Sequence, residues 1–225
     1  MFERFDLLIG KEKRINLSTK TIVIVGIGGV GGYVVESLAR CGIGHLVLID
    51  FDVVDITNKN RQLVALDSTI GMKKVDVLKK RILDINSNCQ VDTLDIYLDK
   101  DNIEDILNKY DIDYLVDACD AIKTKQAIID KCLKDNIPFV CSLGTGKRLD
   151  PSMLEITDLR KTEYDPLARL LRKYVKDNNI KAKITVLYSR EHPLKIQSNK
   201  VASCSFVPSS AGLLITSYII RKFIG

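Results

Sequence analysis

The run TIVIVGIGGVGG, residues 21–32, constrains the fold of this chain more than any other stretch. Apolar and β-branched residues lead into Gly26, Gly28, Gly29, Gly31 and Gly32, and helix-forming residues continue as far as Cys41. That order describes a buried strand, a tight turn and a helix whose unpaired N-terminal N–H groups face the turn. Glycine lets the backbone approach a ligand closely, and the positive end of the helix dipole favours an anion. Gly26, Gly28 and Gly31 satisfy GxGxxG, and Asp50 ends the next strand, where an acid commonly binds ribose hydroxyls. A turn that only packs helix on strand would leave Asp50 unexplained. On these residues alone the ligand fits NAD as readily as ATP.

Periodicity extends the pattern. Strands are predicted at 21–25, 45–49, 90–97, 114–118 and 138–142, and helices at 31–41, 71–86, 101–110 and 123–135. Gly42 and Gly44 stop the first helix, and Ser68 or Thr69 can cap the second. Alternation at this spacing predicts an α/β fold, a Rossmann-like doubly wound and mainly parallel sheet with right-handed crossovers. Residues 50–67 have no clear period and read as a functional loop or short helical turns. After Gly144 come strands at 153–157 and 183–188, a basic helix at 166–176, a crossing loop through Pro193 and 197–205, and a last helix at 208–223. These elements complete or flank the sheet. The expectation is one domain over 1–225, with a nucleotide-binding core of about 18–146 and a C-terminal part of about 147–225. Residues 1–16 read as a short mixed segment.

Composition narrows the function classes. Residues 211–220 are too short and too polar to span a bilayer, and MFERFDLLIGKEKR lacks the apolar run of a signal peptide. The expectation is a cytoplasmic protein with no membrane contact. Six cysteines without a CxxC pair and only two histidines leave no material for a zinc site. Most of these cysteines read as core residues in a reducing compartment, with Cys204 in its polar run standing apart. The net charge of +5 is uneven, since residues 147–225 hold 15 Lys+Arg against 7 Asp+Glu and the remainder holds 19 against 22. Such asymmetry points to a polyanionic partner, nucleic acid being the obvious class. A solvated helix face carrying Arg169, Arg172, Lys173 and Lys176 accounts for the same charge equally well.

The loop beyond the second strand chooses the chemistry. DFDVVDITNKNRQ sets Asp50, Asp52, Asn58, Asn60, Arg61 and Gln62 past the carboxyl end of a strand, where doubly wound sheets bind ligands and a carboxamide with a guanidinium can clamp a triphosphate. The fork of Arg61 suits pyrophosphate. Lys74 near the start of the next helix adds a second cation, and Asp120 in VDACDAIKTK offers a hard oxygen ligand for Mg²⁺. Either Lys74 or Asp120 alone would read as a surface charge; their combination is harder to obtain by accident.

Together, GIGGVGG, LIDFDVVDITNKNRQ, GMKKVDVL and VDACDAIKTK resemble the ubiquitin-activating-type ThiF/MoeB/HesA superfamily, whose members adenylate carboxylates with ATP. Within it, ITDLRKTEYDPLARLLRKYV, VLYSREHP and SCSFVPSSAGLLI resemble the tRNA threonylcarbamoyladenosine dehydratase branch, over nearly the whole chain. The resemblance implies that Gly26, Gly28, Gly29 and Gly31 approach the phosphates of ATP, with Asp50 on the ribose and Asp52 beside it. It implies that Asn58, Arg61 and Lys74 contact the triphosphate and that Asp120 holds Mg²⁺. Arg4 would reach the ATP of a second subunit, making a homodimer and completing a catalytic set of Arg61, Lys74, Asp120 and Arg4. The implied reaction is adenylation of the threonylcarbamoyl carboxylate on an anticodon-loop adenosine of tRNA, then ring closure with net loss of water. Lys147, Arg148, Arg160, Lys161, Arg169, Arg172 and Lys173 would contact tRNA phosphates. One departure is Gly32, where the superfamily often has serine. The resemblance leaves open a monovalent cation near the site and a sulfur-relay protein as a further partner.

Two alternatives stand beside this reading. One is adenylation of the C-terminal glycine of a ubiquitin-like sulfur carrier, against which weigh the missing CxxC pairs and the basic C-terminal third. No cysteine lies between Ser142 and Ser203 to support a thioester-forming loop. The other is an NAD-binding oxidoreductase or redox sensor, favoured only by GxGxxG with Asp50.

Overall fold

The chain is described here by a computed structural model covering residues 1–197 and 201–225. Strand β1 (Thr21–Val25) is buried on both faces, and so is its parallel neighbour β2 (His45–Ile49). Both are continuous apolar runs, as a strand covered by helices on either side requires. Alternate residues serve opposite layers. Ile22, Ile24, Leu46 and Leu48 enter one core, and Val23, Val25, Val47 and Ile49 the other.

The remaining strands are β3 (Gln90–Leu94), β4 (Tyr114–Asp117), β5 (Phe139–Ser142), β6 (Leu154–Asp158) and β7 (Thr185–Ser189). They form a seven-stranded sheet in the order β3-β2-β1-β4-β5-β7-β6, parallel except where β6 pairs antiparallel with β7. Helices α1 (Glu3–Ile9), α2 (Lys11–Leu17), α3 (Gly31–Arg40), α4 (Lys74–Ile85), α5 (Ile103–Leu107), α6 (Ile122–Lys134), α7 (Pro166–Asp177) and α8 (Phe206–Ile224) complete the chain. Residues of α2, α3, α4 and α8 build the first core, and residues of α5, α6 and α7 the second. The direction of winding reverses between β1 and β4, which opens a crevice at their carboxyl ends.

The expected α/β architecture is present, with differences at element boundaries. The helix expected at 71–86 begins only at Lys74. Thr69 is spent on a preceding one-turn helix, accepting from Leu66 N–H at 2.9 Å and donating to the Val64 carbonyl at 2.6 Å, and Gly71 then turns at φ +83°. Strand β3 stops at Leu94, short of the expected 97. Pro138 lies outside β5, although its carbonyl accepts from Leu115 N–H at 2.9 Å. The helix expected at 101–110 shrinks to α5. Residues 1–16, expected as a short mixed segment, belong to α1 and α2, which break at Gly10 with φ +90°. Residues 50–67 contain the one-turn helix Ile56–Asn58. Part of the crossing loop expected at 197–205, residues 198–200, lies outside the described residues.

The C-terminal third completes the sheet, because β7 inserts between β5 and β6. Helix α8 lies so close to α3 that a Cβ at Gly212 would stand 2.5 Å from the Val30 carbonyl oxygen. Among the described residues, no helix is long and apolar enough to cross a membrane.

Candidate nucleotide site

A cavity of about 650 Å³ fills the crevice, and its lining draws on the glycine turn, the loop beyond β2, Lys74 and the turn that carries Asp120. Gly28 and Gly29 form one wall, and Asp50, Asp52, Asn58, Arg61 and Lys74 form the next. Asp120 closes the far side, and Val201, Ser203 and Pro208 arrive from the C-terminal third.

The glycine turn is shaped by close approaches. Gly26 adopts φ +82°, and a Cβ there would meet the Cys119 backbone nitrogen at 2.7 Å. A Cβ at Gly31 would stand 1.9 Å from the Gly26 carbonyl oxygen. Gly31 is buried and outside the cavity lining, so it brings α3 against β1 instead of approaching a ligand itself. Replacing Gly31 with alanine should therefore displace the turn, and isothermal titration should show loss of nucleotide binding together with a lowered unfolding midpoint. Wild-type ATP affinity in that variant would refute the close-packing role.

Asp50 is only 8% exposed and is held by the turn. Its carboxylate accepts from Ile27 N–H at 2.8 Å and from Asp52 N–H at 2.9 Å, joining the end of β2 to the glycine loop. Lys74 sits at the start of α4 with its ammonium 2.6 Å from Asp52 Oδ2 and its side chain 5% exposed. The buried Asn58 accepts from Asp55 N–H at 3.1 Å and so fixes the one-turn helix that carries Arg61 past the cavity. Arg61 Nη1 donates to the Thr57 carbonyl at 3.1 Å and to Asn60 Oδ1 at 2.8 Å. Its methylenes stand 3.3 to 3.5 Å from where a Gly29 Cβ would be. Two cations thus share one cavity with a glycine turn, the arrangement that polyphosphate requires. The opposite end is apolar: Phe51 and Tyr97 meet edge to face at 5.2 Å, beside Ile96 and Leu98, and offer a wall for a planar ring.

Asp120 is exposed, lines the cavity and stands on the turn after β4. An exposed carboxylate facing a polyphosphate-sized cavity suits Mg²⁺, which keeps several waters and binds through one or two carboxylates and the substrate phosphates. Beneath that turn lies a group that sequence reasoning missed. Asp117 and Lys125 form an ion pair at 3.0 Å with both side chains 0% exposed. Lys125 also donates to the Ser142 carbonyl at 2.7 Å, while Asp117 Oδ1 accepts from Cys119 N–H at 3.2 Å. Burial disfavours the ammonium, but the groups around it, Asp117 foremost with Cys119 and Cys141, together raise the Lys125 pKa. The signal is present in VDACDAIKTK, where the sequence reading assigns a role only to the second acid. Gln62, expected in the ligand-facing loop beyond β2, is buried in the lining with Oε1 unpartnered among the described residues.

The other expected site residues divide. Arg4 on α1 is exposed and lies outside this cavity of its own chain. Lys161, Arg169 and Lys173 are exposed, and Lys147 is half-buried. Arg160 is spent on the carbonyls of Ala182 at 3.0 Å and Ile180 at 2.7 Å. Arg172 donates to the Thr162 carbonyl at 2.8 Å. Arg148 departs furthest from the expected surface role, since it is 3% exposed with Nε and Nη1 unpartnered among the described residues. Burial pushes the thiols of Cys41 and Cys89 up to about 11 and that of Cys132 to about 12, keeping them protonated at neutral pH.

A doubly wound sheet with a glycine turn at its switch point, and two cations beyond the second strand, defines a nucleotide-binding protein of the Rossmann type. The chain matches the ThiF family over residues 4–163 and belongs to that family. The tRNA threonylcarbamoyladenosine dehydratase of Bacillus subtilis (strain 168) is 39% identical, the match covering 99% of this chain and 94% of the relative. Its counterpart in Escherichia coli (strain K12) is 41% identical over 74% of this chain and 62% of the relative. The crystal structure of the E. coli tRNA N6-threonylcarbamoyladenosine dehydratase in complex with ATP has a TM-score of 0.93 at 34% identity, covering 99% of this chain and 93% of that one. The same enzyme in complex with AMP gives 0.92 at 35% identity, covering 97% of this chain and 92% of that one.

Proposed function

We propose that the chain is an ATP-dependent tRNA threonylcarbamoyladenosine dehydratase, working as one adenylating unit over residues 1–225. One observation carries this reading: the glycine turn, Arg61, Lys74 and Asp120 line a single cavity. Structures bearing that enzyme's name, in complex with ATP and with AMP, share the fold over nearly the whole chain.

A carboxylate is a poor acyl donor because its leaving group would be oxide. The threonylcarbamoyl carboxylate therefore attacks the α-phosphorus of ATP, forming an acyl–adenylate bond as the bond to pyrophosphate breaks. Arg61 and Lys74 offset charge that develops on the phosphates, and the glycine turn offers N–H groups to them. Asp120 would hold Mg²⁺, which supplies further neutralisation of phosphate charge when bound. The acyl carbon is then attacked from within the same side group, which closes the ring and expels AMP. With both reacting ends on one nucleoside, effective concentration replaces an enzyme nucleophile.

The protein acts as a homodimer. Leu7 and Leu8 on α1 are 82% and 78% exposed, and Val53, Ile56, Leu66, Ile70 and Met72 in the stretch from 53 to 72 are also exposed, apolar surface that a second subunit would cover. Arg4, exposed on the same helix, suits the ATP of the second subunit. Lys161, Arg169 and Lys173 serve tRNA phosphates. The six cysteines are free thiols, which suits the cytoplasm.

Mass analysis of tRNA nucleosides after incubation with the purified chain and ATP provides the test. The expected result is an ATP-dependent loss of one water from threonylcarbamoyladenosine. Unaltered nucleosides, with pyrophosphate exchange stimulated instead by a ubiquitin-like carrier, would replace this reading with the carrier-adenylating one.

A further inference from the structure

The chain leaving β5 links the nucleotide cavity to a second cavity of about 490 Å³. Gly144, Thr145 and Gly146 line the first, while Lys147, Pro166, Pro193, Leu194 and Lys195 line the second. The link is tied on both sides. Gly144 N–H donates to Asp165 Oδ2 at 3.0 Å, and Leu194 N–H donates to the Lys147 carbonyl at 2.8 Å.

His192, next in the chain to the lining residue Pro193, stacks on Tyr164 with ring centroids 3.6 Å apart and planes 34° apart. Tyr164 is 49% exposed, and His192 is exposed beside Pro193. Tyr164 holds φ +53°, a left-handed conformation that costs an aromatic residue energy and persists only where its surroundings enforce it. Here the buried Arg148 donates from Nη2 to the Tyr164 carbonyl at 3.2 Å. Glu191, the nearby acid, is spent on the N–H groups of Leu149 and Asp150, at 3.0 and 2.9 Å. Among the described residues that line this cavity, the charged ones are Lys147 and Lys195.

An exposed aromatic stack next to two lysines has the chemistry of a single-stranded nucleic-acid site, where a base packs on a ring and the neighbouring phosphate meets a cation. We propose that Tyr164 and His192 form a platform for an unpaired base of the RNA, with its phosphate over Lys147 and Lys195. Gly144, Thr145 and Gly146 then connect that base to the adenylation cavity. The proposal rests on the tRNA reading of the adenylation site and names the surface that orients the anticodon loop.

Fluorescence anisotropy of a labelled anticodon stem-loop RNA, titrated with the full chain at several salt concentrations, tests it. His192→Ala should weaken binding about tenfold with an unchanged salt slope, as loss of one stacked base would. His192→Phe should restore the affinity. Lys195→Ala should lower the slope of log affinity against log salt by about 0.7. All three variants should bind ATP as the wild type does. Wild-type RNA affinity in His192→Ala would overturn the platform while leaving the tRNA reading intact. Failure of the wild-type chain to bind the RNA at any salt concentration would overturn both.

Discussion

Replacing Arg61 with alanine should lower kcat/KM for tRNA-stimulated ATP–pyrophosphate exchange by on the order of 10²–10³, the cost of removing one preorganised group that stabilises developing charge. The fold should survive. Among the described residues Arg61 Nη1 bonds only the Thr57 carbonyl and Asn60 Oδ1, both in its own loop, and the loop is fixed independently through Asn58. Arg61→Lys should recover part of the loss and no more, because an ammonium cannot offer two parallel donors to a phosphate. Unfolding midpoints measured alongside the exchange rates separate chemistry from stability. Near-normal exchange in the alanine variant would mean that Lys74 carries the phosphate charge alone.

Lys125→Met is the second large effect, and it strikes stability first. The variant leaves Asp117 buried without its counter-ion, and breaking such a pair from one side costs about 3–5 kcal/mol. Urea denaturation should show the midpoint falling at a nearly constant m-value. Adding Asp117→Asn should restore much of the loss, because the double variant buries no lone charge. ATP affinity should fall in the single variant beyond what unfolding explains, since Asp117 also holds Cys119 on the turn that presents Asp120. The Lys125 pKa is raised above its ordinary value, burial opposing and Asp117 with the neighbouring Cys119 and Cys141 together prevailing. The pair's contribution is therefore complete below the unfolded-state value and is lost as pH climbs through the higher folded one. A cost below about 1 kcal/mol for Lys125→Met would deny the pair a structural role.

The sequence carried the fold wherever burial alone decided conformation. Strands β1 and β2 have the expected limits because a doubly covered strand must be apolar along its whole length. It carried less at element ends, where one hydroxyl or one glycine decides. Thr69 has the right chemistry for a helix cap and is used one turn earlier. Helices α1 and α2 were hidden because α1 has no buried residue and α2 buries only Leu17, leaving little periodic signal. In the site, the positions of Asp50, Arg61, Lys74 and Asp120 came from strand ends and helix starts. The Asp117–Lys125 pair did not, because its members are 8 residues apart across a strand-to-helix turn and look like two surface charges until both are buried. Arg148 failed in the opposite sense: composition counts a charge without knowing which way it faces.

Residues 201–208 touch both the nucleotide cavity and the segment that leads to the proposed RNA platform. Val201, Ser203 and Pro208 help wall the nucleotide cavity, Asn60 next to Arg61 donates to the Ser203 carbonyl at 3.0 Å, and Lys147 N–H donates to the Ala202 carbonyl at 2.8 Å. A segment held from both sides is the route through which one binding event would bias the other. By whatever factor bound ATP strengthens the grip on RNA through residues 201–208, bound RNA must strengthen the grip on ATP by the same factor.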